Sequence, residues 1–201
     1  MKQKGLFITT ILFFLIVNTN YFWEGKLGFF AFPVDFLLVI VFLVLGFLLL
    51  RQLFFAFREK FIDKQRLVII GILVIVVTVT VLKPNGLINF DKLQGKDLLV
   101  AEREGAANCM TRLKLKENTT FTERTVCFGV MEIKGNYELK GDTIFFKDIG
   151  FVRHESGYYK FAVIRKSDSE KTKYLGDIVM YKSYSDTTGR DLWITKNQLT
   201  K

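Results

Sequence analysis

The sequence predicts a chain of two fold classes: a membrane-anchoring region of three transmembrane α-helices, followed by an all-β domain that forms a small antiparallel barrel or sandwich. Apolar residues occupy 54 of the first 82 positions but only 46 of the remaining 119. The first proportion is too high for a soluble domain, whereas the second is ordinary for one. We therefore expect a transmembrane region at 1–82, a linker at 83–96 and an extracytoplasmic β domain at 97–201.

Three apolar segments predict the helices, at about 5–23, 27–50 and 67–82. A helix that crosses a bilayer needs about 20 predominantly apolar residues, and these segments approach or exceed that length. The first segment ends on Tyr-Phe-Trp, the aromatic side chains that favour a membrane interface. A cleaved signal peptide is the alternative for this segment. We favour an uncleaved signal anchor, because no small-residue cleavage site follows Val17.

The distribution of positive charge predicts the orientation. The loop at 51–66 carries five Lys or Arg against two acids, whereas 18–26 carries one Lys and one Glu. Loops rich in Lys and Arg stay in the cytoplasm. The N-terminus is therefore expected inside a bacterial cytoplasmic membrane, and the β domain in the periplasm or outside the cell. The 51–66 segment is also amphipathic, so anionic-lipid or partner-helix binding is an alternative, but the preferred interpretation is an ordinary cytoplasmic loop that sets the topology.

Asp35 is the only acid inside an apolar span, which makes it a candidate intramembrane site. A proton or ion relay would need polar partners at similar depth, and the spans offer only threonines. The preferred interpretation places Pro33 and Asp35 in the first turn of the helix. Proline is tolerated there, and a carboxylate interacts favourably with the helix dipole.

Short alternating runs separated by turn residues predict an antiparallel β domain after residue 96. The eight candidate strands are 97–103, 108–116, 120–128, 131–140, 143–146, 158–166, 173–181 and 191–195. This number of strands suits either a small barrel or a two-layer sandwich, and the sequence leaves that choice open.

The hairpin at 108–128 contains both cysteines of the chain. A three-residue loop at 117–119 places Leu115 opposite Phe121 and Cys109 opposite Cys127, so that apolar and cysteine pairing require the same register. A cross-strand disulfide is expected if the domain lies in an oxidising compartment. Reduced core thiols and a metal pair are the alternatives.

The stretch from 120 to 146 contains a Gly-x-aromatic motif and a tight Gly-Asp turn at 141–142. It resembles the hairpins of lipocalin-like small β-barrel domains. With the segments at 108–109 and 191–197, the chain resembles uncharacterised bacterial envelope membrane proteins that carry a C-terminal lipocalin-like domain. The resemblance implies a location and no activity. A lipid-carrier role is not implied, because the lipocalin Gly-x-Trp signature is missing.

Catalytic motifs are scarce. His154 has Glu155 and Ser156 beside it, but adjacent residues on an extended chain point apart, so a solvated loop is the preferred interpretation. We predict no catalytic, cofactor-binding or metal-binding residues. Both signs of charge are spread through the β domain, which argues against nucleic-acid binding.

The sequence therefore predicts a membrane-anchored, non-catalytic binding or interaction module, such as an accessory subunit or an envelope sensor. Its partners would be the lipid bilayer and another membrane or envelope protein. The aromatic residues expected on the binding face of the β domain are Phe145, Tyr158, Tyr181 and Trp193. The alternatives are a membrane-surface enzyme that uses Asp35, His154 or outer carboxylates, and small-solute transport through Asp35.

Overall fold

The computed structural model describes residues 2–88, 90–150, 157–166 and 174–199. The chain divides into two compact units. The first comprises Met1–Glu24 and Phe30–Phe90, and the second comprises Gly25–Phe29 and Asp91–Lys201.

The N-terminal region is helical. Its helices are α1 (Lys2–Asn18), α2 (Asn20–Leu27), α3 (Ala31–Arg58) and α4 (Lys64–Leu82), followed by the short α5 (Phe90–Leu93) inside the expected linker. Two of them, α3 and α4, are long and apolar enough to cross a membrane, and a third span exists if the bent pair α1–α2 counts as one. The prediction of apolar helices is thus confirmed, with two or three candidate spans.

The helix boundaries differ from the predicted spans for local reasons. The expected first span is divided at Thr19, where α1 and α2 meet at 71°. Helix α3 begins at Ala31 rather than at residue 27, after Gly28 with its positive φ of 59°. Helix α4 begins three residues before the predicted start, because the Asp63 side chain caps it by accepting hydrogen bonds from Gln65 N and Arg66 N.

The helices pack around a small apolar core and leave apolar side chains on the outside. Half of the buried core residues come from α4, and the set is Phe13, Val17, Leu45, Ile69, Leu73 and Val76. On the outer surface of α3, Phe36, Phe47 and Phe54 are each more than 60% exposed. A helix that is apolar all round is typical of a large core or of a membrane span.

The C-terminal region is an eight-stranded antiparallel barrel. Its strands are β1 (Asp97–Glu104), β2 (Met110–Lys116), β3 (Thr120–Val126), β4 (Val130–Lys140), β5 (Thr143–Lys147), β6 (Phe161–Lys166), β7 (Gly176–Tyr181) and β8 (Arg190–Asn197). Each strand pairs with the next one along the chain, and β1 pairs with β8. The eight predicted strands are all present, and the closure of the sheet decides for a barrel over a sandwich.

The predicted register of the cysteine hairpin is confirmed. Leu115 pairs with Phe121 across β2 and β3, and the amide N of Thr119 donates to the carbonyl O of Lys116 within the turn. The Cys109 and Cys127 sulfurs, just beyond the paired ends of these strands, lie at disulfide-bonding distance. Alternating residues on each strand face inward, as the period of two requires. The buried interior consists of Leu99, Ala101, Leu113, Leu115, Phe121, Tyr137, Ile144, Phe146, Ala162, Ile178, Met180, Leu192 and Ile194.

Candidate functional site

Aromatic side chains form a continuous strip on the outer surface of β5, β6 and β7. The pairs Phe145–Phe161 and Phe161–Tyr181 are cross-strand neighbours, and their ring centroids lie 6.3 and 5.1 Å apart. Tyr184, in the loop after β7, also stacks on Phe161 at 5.1 Å. We call these four residues the outer aromatic strip. The three rings on the strands, those of Phe145, Phe161 and Tyr181, face outward because the alternate residues of the same strands fill the barrel.

The strip is accessible and has cationic neighbours. Tyr184 is 80% exposed, and the other three rings are partly buried. Lys140 Nζ lies 5.8 Å from the centroid of the Phe145 ring, and Arg165 Nη2 donates a hydrogen bond of 3.0 Å to Tyr181 Oη. The surface therefore combines flat apolar faces with two basic side chains, of which Lys140 also pairs with Glu138, the cross-strand neighbour of Phe145.

Trp193 lies on a separate part of the outer surface. Its ring stacks on that of Tyr174 with centroids 5.2 Å apart. In the strand ladders Trp193 is the partner of Glu102 on β1 and of Asp177 on β7, so carboxylates flank this pair of rings. Of the four predicted aromatic residues, Phe145 and Tyr181 belong to the outer aromatic strip, and Trp193 forms this second aromatic surface.

Tyr158 does not lie on the outer surface. Its ring packs inside the barrel, stacked on Phe121 at 5.4 Å and edge-on to Phe146 at 5.2 Å. Tyr158 and Tyr159 are adjacent in a segment outside the regular strands, where alternation does not determine which ring points inward. The expectation of Tyr158 on an exposed face is therefore corrected by its packing.

A buried polar network accompanies Tyr158. The Tyr158 hydroxyl donates to Glu123 Oε2, and Arg190 Nη1 lies 3.4 Å from Glu123 Oε1. Arg190 Nη2 also donates a 2.8 Å hydrogen bond to Thr111 Oγ1. Burial raises the pKa of Glu123, although Tyr158 and Arg190 oppose the shift, and burial also raises the pKa of Tyr158 well above 10.0. The network links β2, β3 and β8 to the segment before β6.

This network was not predicted from the sequence, although the alternation of inward and outward residues along β3 could have indicated part of it. Glu123 is two residues from Phe121 and therefore shares its inward face. Its side chain is 5% exposed. Because the Glu123 carboxylate accepts from both the Tyr158 hydroxyl and the Arg190 guanidinium, the arrangement stabilises the barrel interior.

A second charged cluster involves Lys116 at the end of β2. Lys116 Nζ donates to Asp97 Oδ1 at 2.9 Å and lies 3.0 Å from Asp91 Oδ1, while Lys114 Nζ also donates to Asp91. Burial raises the pKa of Asp91, but the two lysines more than offset this effect and leave that pKa lowered. Sequence alternation placed both lysines on the outer face of β2. The segment from Asp91 to Asp97 covers that face, so the Lys116 side chain is only 1% exposed.

The cysteine pair lies at the end of the barrel where β2 begins and β3 ends. The Cα atoms of Cys109 and Cys127 are 4.5 Å apart, Cys127 is exposed and Cys109 is half-buried. Within the described ranges, no group of three or more His, Cys, Asp or Glu side chains could hold a metal ion.

The two remaining candidate residues differ in what the structure describes. Asp35 is half-buried and is the fifth residue of α3, just beyond the first turn in which the sequence placed it. His154 lies outside the described residues.

Comparisons with known proteins add no functional information. No family model, curated protein or solved structure matches the chain. The resemblance of the 120–146 hairpins to lipocalin-like domains therefore remains a prediction from the sequence. Functional inference depends on the geometry of the two units themselves.

Proposed function

We propose that this protein is a membrane-anchored, non-catalytic binding module of the bacterial cytoplasmic membrane. The pair α1–α2, helix α3 and helix α4 would form three spans with the N-terminus in the cytoplasm. The barrel would then stand in the periplasm or outside the cell. The observation that carries the binding role is the outer aromatic strip of Phe145, Phe161, Tyr181 and Tyr184.

The surface of the helices supports anchoring. Large apolar side chains project from α3 and α4. In a bilayer, lipid chains would cover these side chains, so that they would not be exposed to water. The threonines within the helices are also compatible with hydrocarbon. Thr10 Oγ1 donates to Leu6 O and Thr80 Oγ1 donates to Val76 O, each at 2.8 Å. These bonds satisfy each hydroxyl within its own helix.

The charge of the loop between α3 and α4 supports the orientation. The 51–66 segment holds five basic side chains and two acids, and such loops remain in the cytoplasm. An odd number of spans then places the chain after α4 on the opposite side. The two cysteine sulfurs at bonding distance are consistent with an oxidising compartment there.

The composition of the strip suggests the class of partner. Tyr and Arg side chains dominate the energetics of protein interfaces, because they present a large rigid area with a polar end. Arg165 and the ion pair of Lys140 with Glu138 flank the rings, so an acidic partner would gain charge complementarity mainly at Arg165. We therefore expect a membrane or envelope protein that presents an apolar segment beside carboxylates.

The barrel interior supports binding rather than catalysis. Apolar side chains fill it, and the buried Glu123 is bonded to Tyr158 and Arg190. A general acid or base needs a path to a substrate and a partner that moves a proton in the transition state. This carboxylate instead contacts groups of the fold.

Site-specific photo-crosslinking in intact cells tests the binding role. A photoreactive phenylalanine analogue would replace Tyr184 in the strip or, as a control, Arg112, which is exposed on the outer face of β2. We expect a discrete envelope-protein adduct from position 184 only. The charge reversals Lys140→Glu and Arg165→Glu should lower its yield. Equal adducts at both positions, or no adduct at 184, would contradict the assignment.

A further inference from the structure

A cleft of 720 Å³ lies between α1, α3 and the start of α4 in the helical unit. Its body is apolar and includes Leu6 of α1 and Ile40 and Val44 of α3. Its mouth is polar and includes Arg51 and Arg66. The start of α1, the end of α3 and the start of α4 meet here, so the cleft belongs to the end of the unit expected in the cytoplasmic leaflet.

The two guanidinium groups at the mouth converge on one aromatic ring. Arg51 Cζ lies 5.7 Å and Arg66 Cζ lies 5.5 Å from the centroid of the Phe55 ring. Arg66 is paired with two carboxylates, since its Nη1 lies 2.9 Å from Glu59 Oε2 and its Nε lies 4.0 Å from Asp63 Oδ2. The 51–66 segment around the mouth still carries five basic side chains against these two acids, an excess of three positive charges.

Arg66 has unused hydrogen-bonding capacity. Its Nε and Nη1 atoms are buried and form no hydrogen bond within the described part of the chain, although Glu59 and Asp63 lie at ion-pairing distances of 2.9 and 4.0 Å. A buried donor without an acceptor is destabilising, and a charged donor more so. An anionic acceptor at the mouth would satisfy these donors. Guanidinium groups bind phosphate oxygens particularly well, since their N–H groups form a planar fork.

The length of the cleft matches one leaflet. The lining residues of α3 run from Ile40 to Phe55, or about 22 Å at 1.5 Å per residue. One leaflet is about 20 Å thick with its headgroup region, and about 15 Å of this is hydrocarbon. The apolar body would therefore lie at the depth of an acyl chain, and the mouth at the depth of the headgroups.

We infer that this cleft is a binding site for one anionic phospholipid of the cytoplasmic leaflet. An acyl chain lies along Ile40 and Val44, and the headgroup phosphate accepts hydrogen bonds from Arg51 and Arg66. Basic pockets between helices on the cytoplasmic side are the expected sites for such headgroups. The inference rests on the membrane anchoring in the proposed function, and it is independent of the partner of the barrel.

Native mass spectrometry of the detergent-solubilised full chain tests the site. The protein would be titrated with phosphatidylglycerol or with zwitterionic phosphatidylcholine, and the lipid-bound fraction measured. We expect one retained phosphatidylglycerol and no comparable phosphatidylcholine. Arg66→Gln should weaken retention at least about tenfold, as the loss of a charged hydrogen bond implies. Arg58→Gln is the matched control, because Arg58 is exposed on the same segment and does not line the cleft.

Two further measurements test whether a lost binding reflects misfolding of the variant and whether the site binds free phosphate rather than a lipid. Val44→Phe fills the apolar body without changing any charge, and it should also abolish retention of phosphatidylglycerol. Inorganic phosphate at the same concentration should not displace the lipid, since it lacks the acyl chain. Equal retention of both lipids, displacement by inorganic phosphate, or a lipid-free dimer closed at this cleft would overturn the inference. Extraction of the chain from membranes by alkaline carbonate would instead contradict the anchoring itself.

Discussion

The helical unit and the barrel place their large apolar side chains in opposite ways. In the helical unit Phe47 is 68% exposed, whereas in the barrel Phe121 is completely buried. The barrel has an interior of its own and an outer surface that carries most of its charge. The helical unit has a small core and a largely apolar surface. This difference is what the proposed membrane anchoring requires, with water around the barrel and lipid around the helices.

The largest expected effect comes from the same substitution made once in each region. Phe121→Ala should lower the free energy of unfolding of the barrel by about 3–5 kcal/mol, because it leaves a cavity among packed rings. Phe47→Ala should leave barrel stability within about 0.5 kcal/mol of the wild type. Hydrogen-exchange mass spectrometry of the full chain in detergent would measure barrel peptides separately. Similar losses from both variants would contradict the division into two units.

A smaller effect is expected from the charged cluster around Lys116. Asp91→Asn should lower barrel stability at neutral pH by about 1–3 kcal/mol, since it removes one acceptor from a buried ammonium that still keeps Asp97. The lowered folded pKa of Asp91 stabilises the barrel above the ordinary value of 3.8, and this contribution disappears as the pH falls through the folded pKa. The stability of the Asp91→Asn barrel should therefore approach that of the wild type at acidic pH.

Denaturant titrations at a series of pH values would measure that convergence. Glu138→Gln is the control, because Glu138 pairs with Lys140 and Lys147 at an exposed position. It should leave the neutral-pH stability unchanged. A constant difference between Asp91→Asn and the wild type at every pH would exclude the ion cluster as its cause.

Glu123 should show the opposite pH dependence. Its raised folded pKa gives stability that is fully present below the ordinary value of 4.5 and is lost as the pH rises through the folded pKa. The stability of the wild type relative to Glu123→Gln should therefore increase on acidification. At neutral pH the difference should be about 1 kcal/mol or less, because glutamine keeps one acceptor. The same titrations measure it, and a relative stability that decreases in acid would refute the burial argument.

The smallest effect on stability is expected at the outer aromatic strip. Tyr184→Ala should change the free energy of unfolding by no more than about 0.5 kcal/mol, since the ring is 80% exposed. The same variant should weaken binding of the partner captured by crosslinking at least about fivefold, a loss of about 1 kcal/mol. Isothermal titration of the purified pair would measure that loss. Unchanged affinity would remove Tyr184 from the proposed binding face.

The sequence predicted all eight strands because their signals are local. The turn at residues 117–119 and the alternation on either side of it were sufficient to align Leu115 with Phe121. Closure of the barrel required the pairing of β1 with β8, which are about 90 residues apart and share no turn. No local pattern could distinguish that closure from an open sandwich.

The features that the sequence missed depend on tertiary contacts. Lys116 alternates like an exposed residue, and only the approach of the segment at 91–97 buries it. Alternation cannot tell which of the adjacent Tyr158 and Tyr159 points inward, because the segment is not a regular strand. The stacking on Phe121 places the Tyr158 ring in the barrel. The outer aromatic strip was recognised only in part, because Phe161 and Tyr184 join it through cross-strand and loop contacts.

The most direct test of the proposed architecture is the accessibility of Cys109 and Cys127 in intact cells. A membrane-impermeant maleimide would be applied with and without prior reduction, and the mass of the protein measured. The account predicts labelling only after reduction, because the sulfurs lie at bonding distance and Cys127 is exposed on the barrel, which we propose to stand outside the cytoplasmic membrane. Labelling that also requires permeabilisation of the membrane would place the barrel in the cytoplasm and contradict the account.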